Sequence, residues 1–125
     1  MTTDHGATSV RQALEAVRAH GLTGRCGPVS VRFDPDRSSH LFAFAIGRRV
    51  GSAVVRNRVR RRMRAIVAGE RHQIPVGTYL VSARPDVTEL TFEEMRNAMI
   101  AAIERATAPG GAARPAGAAL KAATS

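Results

Sequence analysis

The feature that most constrains this chain is a stretch of thirty-three residues between Asp36 and Glu70 that holds nine arginines and no carboxylate. Six of those arginines fall within the nine positions from Arg56 to Arg64. From Val54 to about Ala68 neither glycine nor proline interrupts the run, Ser52 is an acceptable N-cap, and Gly69 is expected to end the helix. With about 100° of turn per residue, Val55, Val59, Met63 and Ile66 fall in a stripe of roughly 80°, and arginine takes most of the remaining circumference. Such a helix must lay its stripe on a core built by the rest of the chain.

The charge pattern is costly unless something outside the chain offsets it. Arg56 and Arg60, Arg58 and Arg62, and Arg60 and Arg64 are like-charge pairs four residues apart, each destabilising by roughly a few tenths of a kcal/mol. An ordinary solvated helix mixes signs at these spacings. Phosphate oxygens match the guanidinium fork, and the helix N-terminus near Ser52 adds free N–H groups and a positive dipole end. The formal net charge of +9 and pI near 11.6 agree with a polyanionic partner. Eighteen of the nineteen basic residues are arginine, with Lys121 the exception; this fits bidentate phosphate contact and fits arginine-rich genomic composition equally well. A membrane-surface helix is disfavoured because the stripe has Val, Met and Ile but no bulky anchor. Counterion release is common to RNA and DNA, so charge alone does not separate them.

The rest of the chain supplies the core. Ser9 and Gln12 have the spacing of a capping box, and Val10, Ala13, Leu14 and Val17 recur at helical spacing up to Gly21. Val29, Val31 and Phe33 alternate with Ser30 and Arg32 as in a half-buried strand, and Asp34 to Ser39 reads as a turn. Leu41 to Ile46 is a continuous apolar run, predicted to be a strand buried on both faces at the centre of the sheet. Thr78 to Ala83 predicts a further strand. A last helix starts at Thr91, where Glu94 completes a capping box and Leu90 and Met95 form a hydrophobic staple; Met95, Met99, Ala102 and Ile103 are its buried face. The fold class expected is α+β, a two-layer α/β sandwich with helices packed on a mostly antiparallel sheet, in the order α-β-β-(β)-α-β-α. One domain is expected over 1–106, and the Ala, Gly and Pro composition of 107–125 predicts a disordered tail.

Catalytic chemistry finds no footing. Asp34 and Asp36 flank Pro35 in a turn, Glu93 and Glu94 are explained by a helix N-terminus, and His5, His20, His40 and His72 share no ligand spacing. No serine or cysteine stands in a nucleophile motif. The expectation is a protein with no catalytic residues, no metal site and no cofactor of its own. Cys26 stands alone, which predicts a reducing, cytoplasmic compartment. Met1 to Ser9 has no secretory pattern, and no stretch approaches the roughly eighteen apolar residues of a membrane span. The alternative reading is another non-catalytic nucleic-acid binder, ribosomal or DNA-binding. A DNA reader needs one face of base-contacting side chains, whereas this helix carries arginine nearly all round.

The segment Gly47-Arg48-Arg49-Val50-Gly51-Ser52-Ala53-Val54-Val55-Arg56-Asn57-Arg58 and the basic run to Arg64 resemble the signature of bacterial ribonuclease P proteins, whose hallmark is Arg-Asn-Arg on a basic helix. Ala83-Arg84-Pro85 also matches, and the resemblance covers roughly Ser9 to Ala106. It implies the protein subunit of a ribonucleoprotein that removes the 5′ leader from precursor tRNA, with hydrolysis performed by the catalytic RNA and its magnesium. The implied partners are that RNA and precursor tRNA, with no membrane and no protein partner. By the same resemblance, Arg48, Arg49, Arg56, Asn57, Arg58, Arg60, Arg61 and Arg64 contact the catalytic RNA, and a cleft between the first helix and the sheet holds the single-stranded leader. A left-handed βαβ crossover through the basic helix is implied as well. The chain departs from the family where aromatics are common in that cleft: Leu14, Arg18 and Ser30 stand there, and Arg18 and Arg32 offer charge instead.

Overall fold

The computed structural model describes residues 2–35 and 39–108, with side chains from Val10 onward. The elements are α1 (Thr2–His20), β1 (Leu22–Cys26), β2 (Val29–Asp34), β3 (His40–Ala45), α2 (Ala53–Glu70), β4 (Gly77–Ala83) and α3 (Phe92–Thr107). The strands form one sheet in the order β1-β2-β4-β3. β1 with β2 and β2 with β4 are antiparallel, while β3 runs parallel to β4 with α2 as the connection between them. The α+β class and the predominance of antiparallel pairing are as expected.

The alternation read in β2 puts Val29, Val31 and Phe33 on one face, in register with Ala83, Val81 and Tyr79 of β4. That face carries the core. Val59, Met63, Ile66 and Val67 of α2 and Met95, Met99, Ala102, Ile103 and Ala106 of α3 are buried against it. α1 contacts β2 and β4, and its Val17 is fully buried yet stands apart from the contiguous core cluster. α1 therefore lies against the opposite face, over the two middle strands.

Four features differ from the sequence reading, each for a physical reason. β1 was allowed for only as an optional third strand with no position, because the alternation of Leu22, Gly24 and Cys26 with Thr23 and Arg25 is short and has a glycine at its centre. Its role is packing by backbone: a Cβ on Gly24 would run into the Ala102 carbonyl and the Ala106 amide, so the missing side chain is what lets α3 rest on the strand. β3 lies at the sheet edge, not its centre. Its run is apolar because Phe42 and Phe44 turn toward the core, while the other face has only Leu41, Ala43 and the exposed Ala45. α1 starts at Thr2, so Ser9 is inside the helix and does not cap it; nothing from Thr3 to Thr8 is a proline that would forbid this. Finally, α2 continues through Gly69 to Glu70, whose carboxylate accepts a 3.0 Å bond from Arg96 Nε of α3. The expected cap at Thr91 is present in both directions, with Glu94 N–H donating to Thr91 Oγ1 at 3.1 Å and Thr91 N–H donating to Glu94 Oε1 at 2.9 Å. Asp36 in the expected turn and the tail from 109 lie outside the described residues.

Candidate nucleic-acid interface

The basic helix is set in place by its first turn. Arg48–Val50 makes a 3-10 turn that buries Val50, and Gly51 follows at φ 154°. A Cβ at Gly51 would sit 2.9 Å from Val55 Cγ1, so glycine is required by both backbone conformation and space. Ser52 then caps α2 by accepting from the Val55 amide at 3.3 Å. The apolar stripe is seated as expected, with Val59, Met63 and Ile66 buried and Val55 half-buried; Val67 joins them.

Seating the stripe decides where the arginines point. Arg48, Arg49, Asn57, Arg58, Arg61 and Arg64 are exposed, while Arg56 and Arg60 are half-buried. The two half-buried side chains are tied to the protein's own backbone. Arg56 Nε donates to the Gly51 carbonyl at 3.2 Å, and Arg60 bridges Asn57 Oδ1 at 2.9 Å and the Ile46 carbonyl at 3.3 Å. Each guanidinium has five N–H donors, so both keep donors for an outside acceptor while their position is held. Asn57 thereby anchors Arg60.

Among the described residues no carboxylate pairs with these arginines. The ion pairs among the described residues are Arg84 with Asp86 at 3.9 Å and Arg96 with Glu70 at 3.0 Å, and neither involves an arginine of α2. The hydrogen bond from Arg96, with further help from Gln73, holds the Glu70 carboxyl below its usual range, so this acid at the end of α2 is already engaged. All eight residues expected to meet RNA thus lie on the 3-10 turn and on α2, and among the described residues none of their arginines is paired with a carboxylate.

The leader-cleft candidates are also brought together. Leu14 and Arg18 lie on α1 and Ser30 and Arg32 on β2, and Arg32 Nη1 donates to the Arg18 carbonyl at 2.7 Å. Leu14 and Ser30 are half-buried; Arg18 and Arg32 are exposed. Two residue groups escaped the sequence reading. One is Arg71, exposed just past α2, and the other is the aromatic side chains of β3, where the Phe44 ring centroid lies 5.7 Å from Arg64. The signal was present as His40, Phe42 and Phe44 at alternate positions of one strand, hidden inside a run taken for pure core. Among the described residues no three His, Cys, Asp or Glu side chains group as metal ligands, and no helix is long and apolar enough to cross a membrane.

Comparison with known proteins places this arrangement. The family model described as Ribonuclease P matches residues 11–107. A ribonuclease P protein component from Clavibacter michiganensis subsp. michiganensis is 38% identical over 90 residues, covering 71% of this chain and 80% of that protein. One from Acidothermus cellulolyticus is 44% identical over 63 residues, half of this chain and 52% of that protein. Solved RNase P proteins from Staphylococcus aureus (TM-score 0.68, 17% identity, 75% of this chain and 88% of that one) and Thermotoga maritima (TM-score 0.66, 21% identity, 73% and 91%) share the fold. The family's extent takes in the basic helix, the sheet, α3 and the part of α1 from Arg11 onward, and the chain belongs to the ribonuclease P protein family.

Proposed function

We propose that this chain is the protein subunit of a bacterial-type ribonuclease P, working in the cytoplasm to bind the catalytic RNA and the 5′ leader of precursor tRNA. The observation that carries the reading is the arginine surface of α2, whose one acid is taken by Arg96; the helix buries its apolar stripe on one side and has no carboxylate partner among the described residues on the other, within a chain of this family. Phosphodiester hydrolysis belongs to the RNA and its magnesium, and no residue of this chain is assigned to hold that metal. What the chain contributes is position and charge. Arg48, Arg49, Asn57, Arg58, Arg61 and Arg64 present donors directly to the RNA backbone, and Arg56 and Arg60 present their remaining donors from fixed positions. The surface formed by Leu14, Arg18, Ser30 and Arg32 receives the leader, on the sheet face opposite α2.

Neutralising phosphates is also what magnesium does for a folded RNA, so the protein's effect is to lower the metal requirement. Cleavage of a 5′-extended precursor tRNA by a bacterial ribonuclease P RNA at low magnesium should be strongly stimulated by this protein. Tight RNA binding without stimulation would overturn the reading and leave a different non-catalytic RNA binder.

A further inference from the structure

The chain is poor in aromatics, with four phenylalanines, one tyrosine and no tryptophan, yet Phe33, Phe42, Phe44 and Tyr79 gather on one sheet face. Phe33 and Tyr79 have ring centroids 4.8 Å apart, and Tyr79 and Phe42 are 4.9 Å apart, so a row of rings crosses β2, β4 and β3. Its inner members are sealed, with Tyr79 wholly buried and its hydroxyl bound to the Pro75 carbonyl at 2.5 Å. At the free edge the row turns and runs along β3. His40 and Phe42 are 5.7 Å apart with planes 13° from parallel, and Phe42 and Phe44 are 6.4 Å apart at 12°. These three rings are only half-buried. His40 Nε2 donates to the Ile74 carbonyl at 2.7 Å, which fixes the imidazole in its place in the ladder.

The ladder forms one wall of a groove of about 300 Å³, and the last turns of α2 form the other. Arg64 and Arg71 stand on that second wall, both exposed and neither paired with a carboxylate among the described residues. Among the described residues no acidic side chain lines the groove. Near-parallel, half-exposed rings flanked by guanidinium groups, with Arg64 lying over the Phe44 ring, suit one class of ligand: planar bases that stack, followed by phosphates that pair. A duplex cannot offer its base faces, so the bases must be unpaired.

We propose that this β3–α2 groove is a stacking site for unpaired bases of the catalytic RNA, with adjoining phosphates held by Arg64 and Arg71. The inference rests on the RNA-subunit reading and assigns it a second mode of recognition. The catalytic RNA is chosen over the tRNA leader by position. Arg64 belongs to the α2 surface already assigned to that RNA, whereas the leader candidates on α1 and β2 lie across the sheet.

The test uses the full chain bound to a bacterial ribonuclease P RNA, with Phe42→Leu and Phe44→Leu combined to keep apolar filling and remove the stackable faces. Affinity is measured across a salt series, and unpaired bases are probed chemically. The expected result is native circular dichroism, binding weaker by about tenfold, an unchanged slope of log affinity against log salt, and new reactivity at one or more bases that the unmodified protein protects. Undiminished affinity and protection would overturn the proposal. So would a slope that falls with the affinity, since the rings would then serve only to place charge, or a wild-type dimer that the variant dissociates, which would make a second copy the occupant. Should the double variant fail to fold, Arg71→Gln at the exposed rim must expose the same bases and lower the salt slope by about one; no change there overturns the site equally. A wild-type protein that neither binds nor stimulates the RNA defeats the underlying reading, whereas an active wild type matched by its variants defeats the groove alone.

Discussion

α1 and α2 lie on opposite faces of one sheet and are of nearly equal length, with 19 and 18 residues, but they solve different problems. α1 sets Glu15 four residues after Arg11 and three before Arg18, so opposite signs alternate along it. α2 has six arginines, and its one acid, Glu70, is taken by Arg96. α2 also buries four side chains in the main core, whereas Val17 is the fully buried side chain among those described in α1. The contrast separates anchoring from recognition. α2 can tolerate mutual repulsion among its arginines because its apolar stripe holds it down, and α1 leaves much of its sheet face open beside Arg18, Ser30 and Arg32.

Breaking the α2 side of this comparison should have the largest effect. Arg58→Glu with Arg61→Glu reverses two exposed charges that make no hydrogen bond among the described residues, so folding should be native by circular dichroism while affinity for the catalytic RNA falls by at least about a hundredfold, two charge-assisted contacts each being worth roughly 1.5–3 kcal/mol. Native folding with unchanged affinity would show that the arginine surface is not the RNA contact.

The α1 side can be sharpened by giving back the rings it lacks. Leu14→Phe combined with Ser30→Tyr should tighten binding of precursor tRNA about tenfold, given roughly 1–3 kcal/mol per stacked base, and should leave the affinity for mature tRNA, which has no leader, unchanged. Equal gains on both substrates, or none on either, would remove the leader from this face.

The smallest effect concerns the clasp between α2 and α3. Because Arg96 and Gln73 lower the Glu70 pKa in the folded state, its contribution to stability is present above the ordinary value of 4.5 and is lost as pH falls through the lowered folded value. Glu70→Gln should therefore narrow the difference in thermal midpoint between pH 7 and pH 3, with the loss appearing at the upper pH. A midpoint difference the same as in the parent protein would mean that the ion pair adds nothing to the docking of α2.

Much of the site could be read before the fold. The stripe Val55, Val59, Met63 and Ile66 and the arginines between them obey a helical period that needs only local geometry, and the Thr91–Glu94 cap obeys a local rule as well. β1 was illegible because its stabilising feature is an absence, the missing side chain of Gly24 beneath α3. The length of α1 escaped for a related reason, since Ser9 has the same hydroxyl at a cap or within a helix, and the backbone around it decides its role.

Local period and charge exclusion, properties of residues a few positions apart, were enough for the sequence by itself to determine an arginine helix with one buried face, a strand carrying Val29, Val31 and Phe33 on its buried side, and the family they belong to. The placement of β3 at the edge was decided only in three dimensions, because a run such as Leu41–Ile46 has no mark that distinguishes a strand flanked on both sides from one flanked on one side. That placement, made by a parallel pairing with a strand more than thirty residues later, leaves His40, Phe42 and Phe44 half-open to solvent beside Arg64. Long-range pairing determines which apolar residues face water, and with it which of them are free to bind.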